Sequence, residues 1–385
     1  MKKKHLLGGI LYGLLMVACT TEKQQADVEE INISRQIVHP REVPLRDFAE
    51  SVEFVQLETT DSFLMKGIYK LNMFENYFLI DGNLFDLSGK FIRKIFREGP
   101  GPEEIAMAIN VSIKDNQIHI LDRSGIIKRF SFEGQFLGQL KAPTNTYFDL
   151  SPLGNEHYVG FKSNFTGDEK TCLEFFNKDS ILGTVPYTFS VKPLETMFCP
   201  GEGHFFAAKD ELLLKRKTND TIYQVNAEQY TMKPAYHIDY GRLASDEMLR
   251  YSYKSMEELQ QNLFVKMPFT NFLGESNNYI VFTQIVTNMA KRQMTTSTTL
   301  YNRTTKEANC VILKFSEDDF KYWGTNPDEN LGSKVGVSYK DFLPTFISED
   351  GQYLIAWRQR DGMDDDLNPT LAIVKLKEQT IPNKK

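Results

Sequence analysis

The chain contains the same passage twice, and this repetition limits its possible folds more than any other feature. The first copy reads Asn76-Tyr-Phe-Leu-Ile-Asp81 and then Asp86-Leu-Ser-Gly-Lys-Phe-Ile-Arg-Lys-Ile95. The second reads Asn116-Gln-Ile-His-Ile-Leu-Asp122 and then Ser131-Phe-Glu-Gly-Gln-Phe-Leu-Gly-Gln-Leu140. Gly89 and Gly134 lie 45 residues apart, as do Phe91 and Phe136. In each copy a β-rich strand ends in Asp, a second strand enters a tight turn holding the Gly, and a third alternates apolar and polar residues. A period near 45 residues built from short antiparallel strands marks a β-propeller blade.

At 385 residues the chain is long enough for one closed ring with a sizeable core. Its 28 phenylalanines suit sheets that stack on one another. A net charge of −6 and a pI of about 5.7 argue against a phosphate-tracking surface, and no nucleic-acid partner is expected.

The N-terminus carries the most specific short signal. Lys2, Lys3 and Lys4 precede an apolar run from Leu6 to Ala18. That run is too short to span a bilayer of ~30 Å at about 1.5 Å per residue, so residues 1–18 read as a signal peptide. Its end, Leu15-Met16-Val17-Ala18-Cys19, resembles the lipobox of bacterial lipoproteins, with Met16 in place of the commoner Leu. The resemblance implies lipidation at Cys19 and a membrane partner through that anchor. Residues 19–40 are expected to form a flexible tether, 41–377 a β-propeller and 378–385 a C-terminal tail. Asp27, Glu29 and Glu30 resemble the acidic export signals of surface lipoproteins, and equally fit a solvated linker.

Three further features carry a family resemblance: Ser51-Val-Glu-Phe-Val-Gln-Leu-Glu-Thr-Thr60, the Gly99-Pro-Gly-Pro102 turn with Glu103 and Glu104, and the paired repeats. Together they resemble the six-bladed β-propeller lipoprotein family of Bacteroidetes, over roughly Arg41 to Lys377. The resemblance implies an all-β, six-bladed propeller and an address in the bacterial cell envelope, with the outer membrane expected and its side undecided. It implies no reaction. Segments Asn145–Pro186 and His204–His237 read as degenerate third and fourth blades. Leu243–Lys266, with apolar residues at three- and four-residue steps and Ser245 as an N-cap, predicts a helical insertion.

Catalytic signatures are missing from the sequence. There is no G-x-S-x-G elbow, H-E-x-x-H pair or P-loop, the six histidines show no ligand spacing, and no cofactor or metal is expected. His119, on a strand, is expected to face outward. Cys172, Cys199 and Cys310 are expected to be buried and inert. The acidic loop Asp361–Asn368 lacks the EF-hand pattern and reads as solvated. Asp179-Ser180-Ile181 and Asp220-Thr221-Ile222 resemble an O-glycosylation acceptor and fit ordinary turns equally.

Ligand-binding candidates are Arg97 and Glu103 beside the rigid Gly-Pro-Gly-Pro turn, Asp122 and Arg123 after a strand end, and Arg358 beside Trp357. An Arg next to an aromatic can stack on or fork to a carboxylate or sugar. Two function classes follow. One is an anchored propeller that binds a peptide, glycan or envelope protein without chemistry. The other is a hydrolase or lyase acting on a carbohydrate or lactone through channel residues.

Overall fold

The computed structural model describes residues 28–60, 64–65, 67–164, 169–188, 203–208, 211–216, 219–243, 268–276, 278–288, 293–323, 338, 340–359 and 367–377. These residues form six antiparallel sheets that follow one another in chain order as the blades of a propeller. Blade 1 comprises Leu71–Phe74, Tyr77–Ile80, Asn83–Asp86 and Phe91–Lys94; blade 2 comprises Ala108–Lys114, Gln117–Asp122, Ile126–Phe130 and Phe136–Lys141. Blade 3 is Tyr147–Gly154, His157–Lys162, Thr171–Phe176 and Ile181–Pro186; blade 4 is Gly203–Ala208, Glu211–Arg216, Thr221–Asn226 and Thr231–Asp239. Blade 5 uses Phe269–Glu275, Tyr279–Asn288, Gln293–Asn302 and Ala308–Lys314. The first strands of neighbouring blades touch from blade 2 through blade 6 and on to blade 1, and so line the axis of the ring.

Blade 6 closes the ring with both halves of the chain. Phe346–Ile347, Tyr353–Arg358 and Thr370–Leu376 supply three strands, and Ala49–Gln56 pairs antiparallel with Thr370–Leu376 as the fourth. Asn368, fully buried, secures this closure: its side chain donates to Glu58 O (2.7 Å) and accepts from Met65 N (2.5 Å).

The two copies recognised in the sequence are equivalent units in blades 1 and 2. Gly89 (φ 86°) and Gly134 (φ 79°) occupy the same turn between third and fourth strands, a left-handed position that glycine adopts without strain. Each donates its N–H back across the turn, to Asp86 O and Ser131 O.

The strands nearest the axis are buried on both faces because every sheet has a neighbour on each side. Phe78 and Ile80 pack toward blade 6, whereas Leu79 between them packs toward blade 2. This geometry overturns the outward placement expected for His119. Its neighbours Ile118 and Ile120 face blade 1, so His119 faces blade 3, buried, with Nδ1 3.1 Å from the Tyr158 hydroxyl.

The tether expected over 19–40 does not reach residue 40. Glu29–Asn32 pairs in parallel with Thr231–Asp239 on the outer edge of blade 4, and Arg41–Pro44 pairs in parallel with Ala308–Lys314 on blade 5. Ile31, Ile33 and Ile37 are fully buried under this strap, and burying such side chains is worth about 1.5–3 kcal/mol each. Glu29 fixes its start, accepting from Tyr301 Oη (2.5 Å) and Lys306 Nζ (2.7 Å). Burial raises the Glu29 carboxyl, but these partners outweigh it and hold the group below the usual range.

A helix that the sequence reading did not anticipate spans Glu317–Trp323 after blade 5. Ser316 caps it by accepting from Asp319 N (3.1 Å), and Arg46 forks onto the Asp319 carboxylate (3.1 and 2.5 Å). Cys172 and Cys310 are buried, as expected. The signal peptide, Cys19, Cys199, residues 244–266 of the expected helix, the aspartates of the 361–366 loop and the tail from 378 lie outside the described residues.

Candidate functional site

A propeller of this topology has two unlike faces. We call upper the face on which each blade's first strand begins; it carries the connections between blades and the loops between second and third strands. The lower face carries the remaining hairpins, which are short: 75–76, 115–116, 155–156 and 209–210 after first strands, and 87–90, 131–135, 177–180, 227–230 and 303–307 after third strands. Successive blades are separated in sequence by longer intervals, 57–70, 95–107, 187–202, 240–268 and 315–345, of which 95–107 is described throughout and crosses the upper face; only 142–146 is brief. Long connections in a compact fold are where binding surfaces are built.

All five candidate residues lie on this upper face. Asp122 pairs with Ala108 at the start of blade 2, and Arg358 with Thr370 at the start of blade 6's third strand. Arg97, Glu103 and Arg123 are exposed, and Arg358 is half-buried. The structure brings the first four together around the 95–107 connection, while Arg358 lies on blade 6.

Their roles differ. Asp122 is buried and accepts from Ala106 N (2.8 Å), Met107 N (3.3 Å) and Ser124 N (2.7 Å). Burial raises its carboxyl, and those donors more than offset the rise, leaving it lowered. It is therefore a clamp for the incoming connection, with no lobe left for a ligand. Asp81 does the same in blade 1, accepting from Tyr69 N (3.0 Å) and Lys70 N (2.8 Å).

The Gly99-Pro-Gly-Pro102 turn is likewise internally braced. Gly99 N donates to Ile105 O and Ile105 N to Arg97 O, and the Glu104 carboxylate accepts from Gly101 N (3.0 Å). The buried Lys128 ammonium donates to the carbonyls of Gly101 and Glu104. Arg97 and Glu103 project from this rigid loop into solvent, and Arg123 Nη1 reaches Met107 Sδ at 3.7 Å.

The polar residues nearest the axis were not singled out from the sequence. Asp149, on the first strand of blade 3, accepts from the Asn110 side chain of blade 2 and from Phe205 N of blade 4 (2.7 Å). Its other neighbour is His204 Nδ1 at 3.5 Å. Burial pushes this carboxyl up, but His204, the Lys70 charge and the Phe205 N–H prevail and hold it down. Lys70 lies just before the first strand of blade 1. Asn110 Oδ1 is buried with no protein partner, and His204 is 38% exposed. On the same upper face Tyr69 is 92% exposed and Met107 51%. Extending the repeat alignment from Asp81 and Asp122 back to their clamped connections would have marked Tyr69-Lys70 and Ala106-Met107. Asp149 and His204 lie on degenerate blades and carry no such signal.

Among the described residues no cluster of metal-ligating side chains occurs, and no helix is long and apolar enough to cross a membrane. A family model described as "Domain of unknown function (DUF4934)" matches residues 28–375. The chain belongs to the DUF4934 family. The DUF4934 match begins at the strap and ends in the strand that closes blade 6, so the family unit is the whole ring. No curated protein matches the sequence. A crystal structure of a Bacteroides fragilis NCTC 9343 protein, described as a candidate exported protein, superposes with a TM-score of 0.63. It shares 14% identity and covers 91% of this chain and 100% of its own, which shows a common fold. Two computationally designed proteins also match: Ika4 at 16% identity over 49% of this chain and 98% of its own (TM-score 0.28), and Ika8 at 11% over 80% and 70% (TM-score 0.31). At those scores they carry no argument.

Proposed function

We propose that this DUF4934 protein is a lipid-anchored cell-envelope propeller that binds a ligand on its upper face without transforming it. The ligand is a peptide, a glycan or an envelope protein. The observation that carries the reading is the asymmetry of the two faces: the lower one is turned by minimal hairpins, and the upper one carries the braced 95–107 connection and every candidate residue. A glycan and peptide array probed with the purified protein tests it. Binding should fall when Arg97→Ala and Arg123→Ala are combined and should survive Glu228→Ala on the lower face. The reverse pattern would move the site to the other face.

Anchoring rests on Lys2–Lys4, the apolar run and Cys19, and agrees with the export described for the Bacteroides fragilis protein of the same fold. Cys19→Ala should release the protein from the membrane fraction. Retention of that variant through high-salt and carbonate washes would overturn the anchor.

One observation favours the second reading, a hydrolase or lyase. An imidazole exposed at the channel mouth with a buried carboxylate behind its Nδ1 is an arrangement suited to a general base. Turnover in a parallel screen of esters, lactones and uronates, abolished by His204→Ala, would establish catalysis in place of simple binding.

A further inference from the structure

We propose that Glu349 is a proton-operated latch across the seam between blade 6 and blade 1. At this seam the ring joins its last blade to its first, and the inner strand on the blade 6 side, Phe346–Ile347, is only two residues long. The turn that follows, 348–352, is folded on itself. Ser348 N donates to Tyr353 O (2.9 Å) and Gly351 N to Ser348 O (2.9 Å), while the Asp350 carboxylate accepts from Ser348 Oγ (2.5 Å) and Gln352 N (3.0 Å). On one side the turn is seated against blade 5, where a Cβ at Gly351 would meet Glu275 O at 2.5 Å. Glu349 reaches the other way. Its N–H donates to Met73 O on the first strand of blade 1 (3.1 Å), and its carboxyl lies beside the Asn72 side chain.

The groups around that carboxyl decide its state. Glu349 is exposed on the lower face, so its proton exchanges with solvent directly. Protein packed around the carboxyl nonetheless raises it and, with the Asp350 charge, outweighs the Asn72 amide and the Lys114 charge of blade 2, leaving it at about 7. On the blade 5 side the Glu275 carboxylate is engaged by Arg303. A neutral Glu349 carboxyl has an O–H to donate, and Asn72 Oδ1, buried with no protein partner, is an acceptor for it. Ionisation removes that donor and sets a second negative charge beside Asp350. A turn swung clear of the seam would return the group to its ordinary 4.5. The closed latch therefore keeps its proton up to about 7, and the open one releases it near 4.5. Closure is strongest below pH 4.5 and weakens as pH rises toward 7.

The test is hydrogen exchange of the purified protein at about pH 5.5 and about pH 7.5, read by mass spectrometry and corrected for the pH dependence of intrinsic exchange. Peptides covering Leu71–Phe74 and the 348–352 turn should lose about tenfold in protection between the two conditions, while a peptide covering Thr221–Asn226 of blade 4 should not. Glu349→Gln holds the side chain neutral at every pH and should abolish the loss, keeping the higher protection throughout. Lys114→Gln removes a charge that lowers the carboxyl, and should carry the loss to higher pH without touching the hydrogen bonds of the turn. The same pH dependence in the wild type and in Glu349→Gln would overturn the latch. So would a loss that Lys114→Gln leaves in place, or a Glu349→Gln variant less protected at both pH values, which would mark an ordinary structural contact.

Discussion

His119 illustrates how a single residue is governed by its neighbours across the ring. Burial against Tyr158 lowers its pKa from 6.5 to about 4, so the folded protein refuses a proton that the unfolded chain accepts. Its contribution to stability is complete above pH 6.5 and is lost as pH falls toward 4. The loss approaches about 3 kcal/mol at about 1.4 kcal/mol per unit. Urea unfolding at pH 7 and pH 4.5 should show this decline, and His119→Gln should flatten it. At Asp122 the expected signature is opposite to that of a ligand contact. Asp122→Ala removes the acceptor for three backbone N–H groups and should cost ~1.5–3 kcal/mol in chemical unfolding. Arg123→Ala, at an exposed side chain, should leave stability within about 0.5 kcal/mol.

At the scale of elements, the blade hairpins were legible and the strap was not. Alternation, paired glycines and strand-ending aspartates made blades 1 and 2 readable, because a propeller turn tolerates few residues at φ near +80°. The strap has no comparable signal. Glu29–Asn32 is four residues long, starts with two glutamates and draws its stability from the edge of blade 4, over two hundred positions away. Only Ile31, Ile33 and Ile37 hinted at it, and their burial depends on partners that local pattern cannot reveal. Among the candidate site residues the repeats exposed Asp122 and Arg123, but whether a carboxylate faces a ligand or a backbone N–H depends on the neighbouring connection. Ile33→Ala should therefore behave as a core substitution, costing about 2–5 kcal/mol and lowering the thermal midpoint. An ordinary tether residue would change neither.

For the whole molecule, the ring explains why all five candidate residues fall on one side. Strands committed to two neighbours each leave specificity to their connections, and the long connection described in full, 95–107, lies on the upper face. The same closure governs mechanics. Glu29–Asn32 lies along the wall of blade 4 in parallel pairing, so a pull on the N-terminal side of the chain runs along the strand axis and loads its backbone hydrogen bonds together. Part of that load passes sideways through Glu29 to Tyr301 and Lys306 of blade 5. The Ala49–Gln56 strand that seals the ring lies behind one further shear joint, Arg41–Pro44 on Ala308–Lys314. A protein pulled from its N-terminal side would therefore yield first at the strap, leaving the blades of the propeller undeformed.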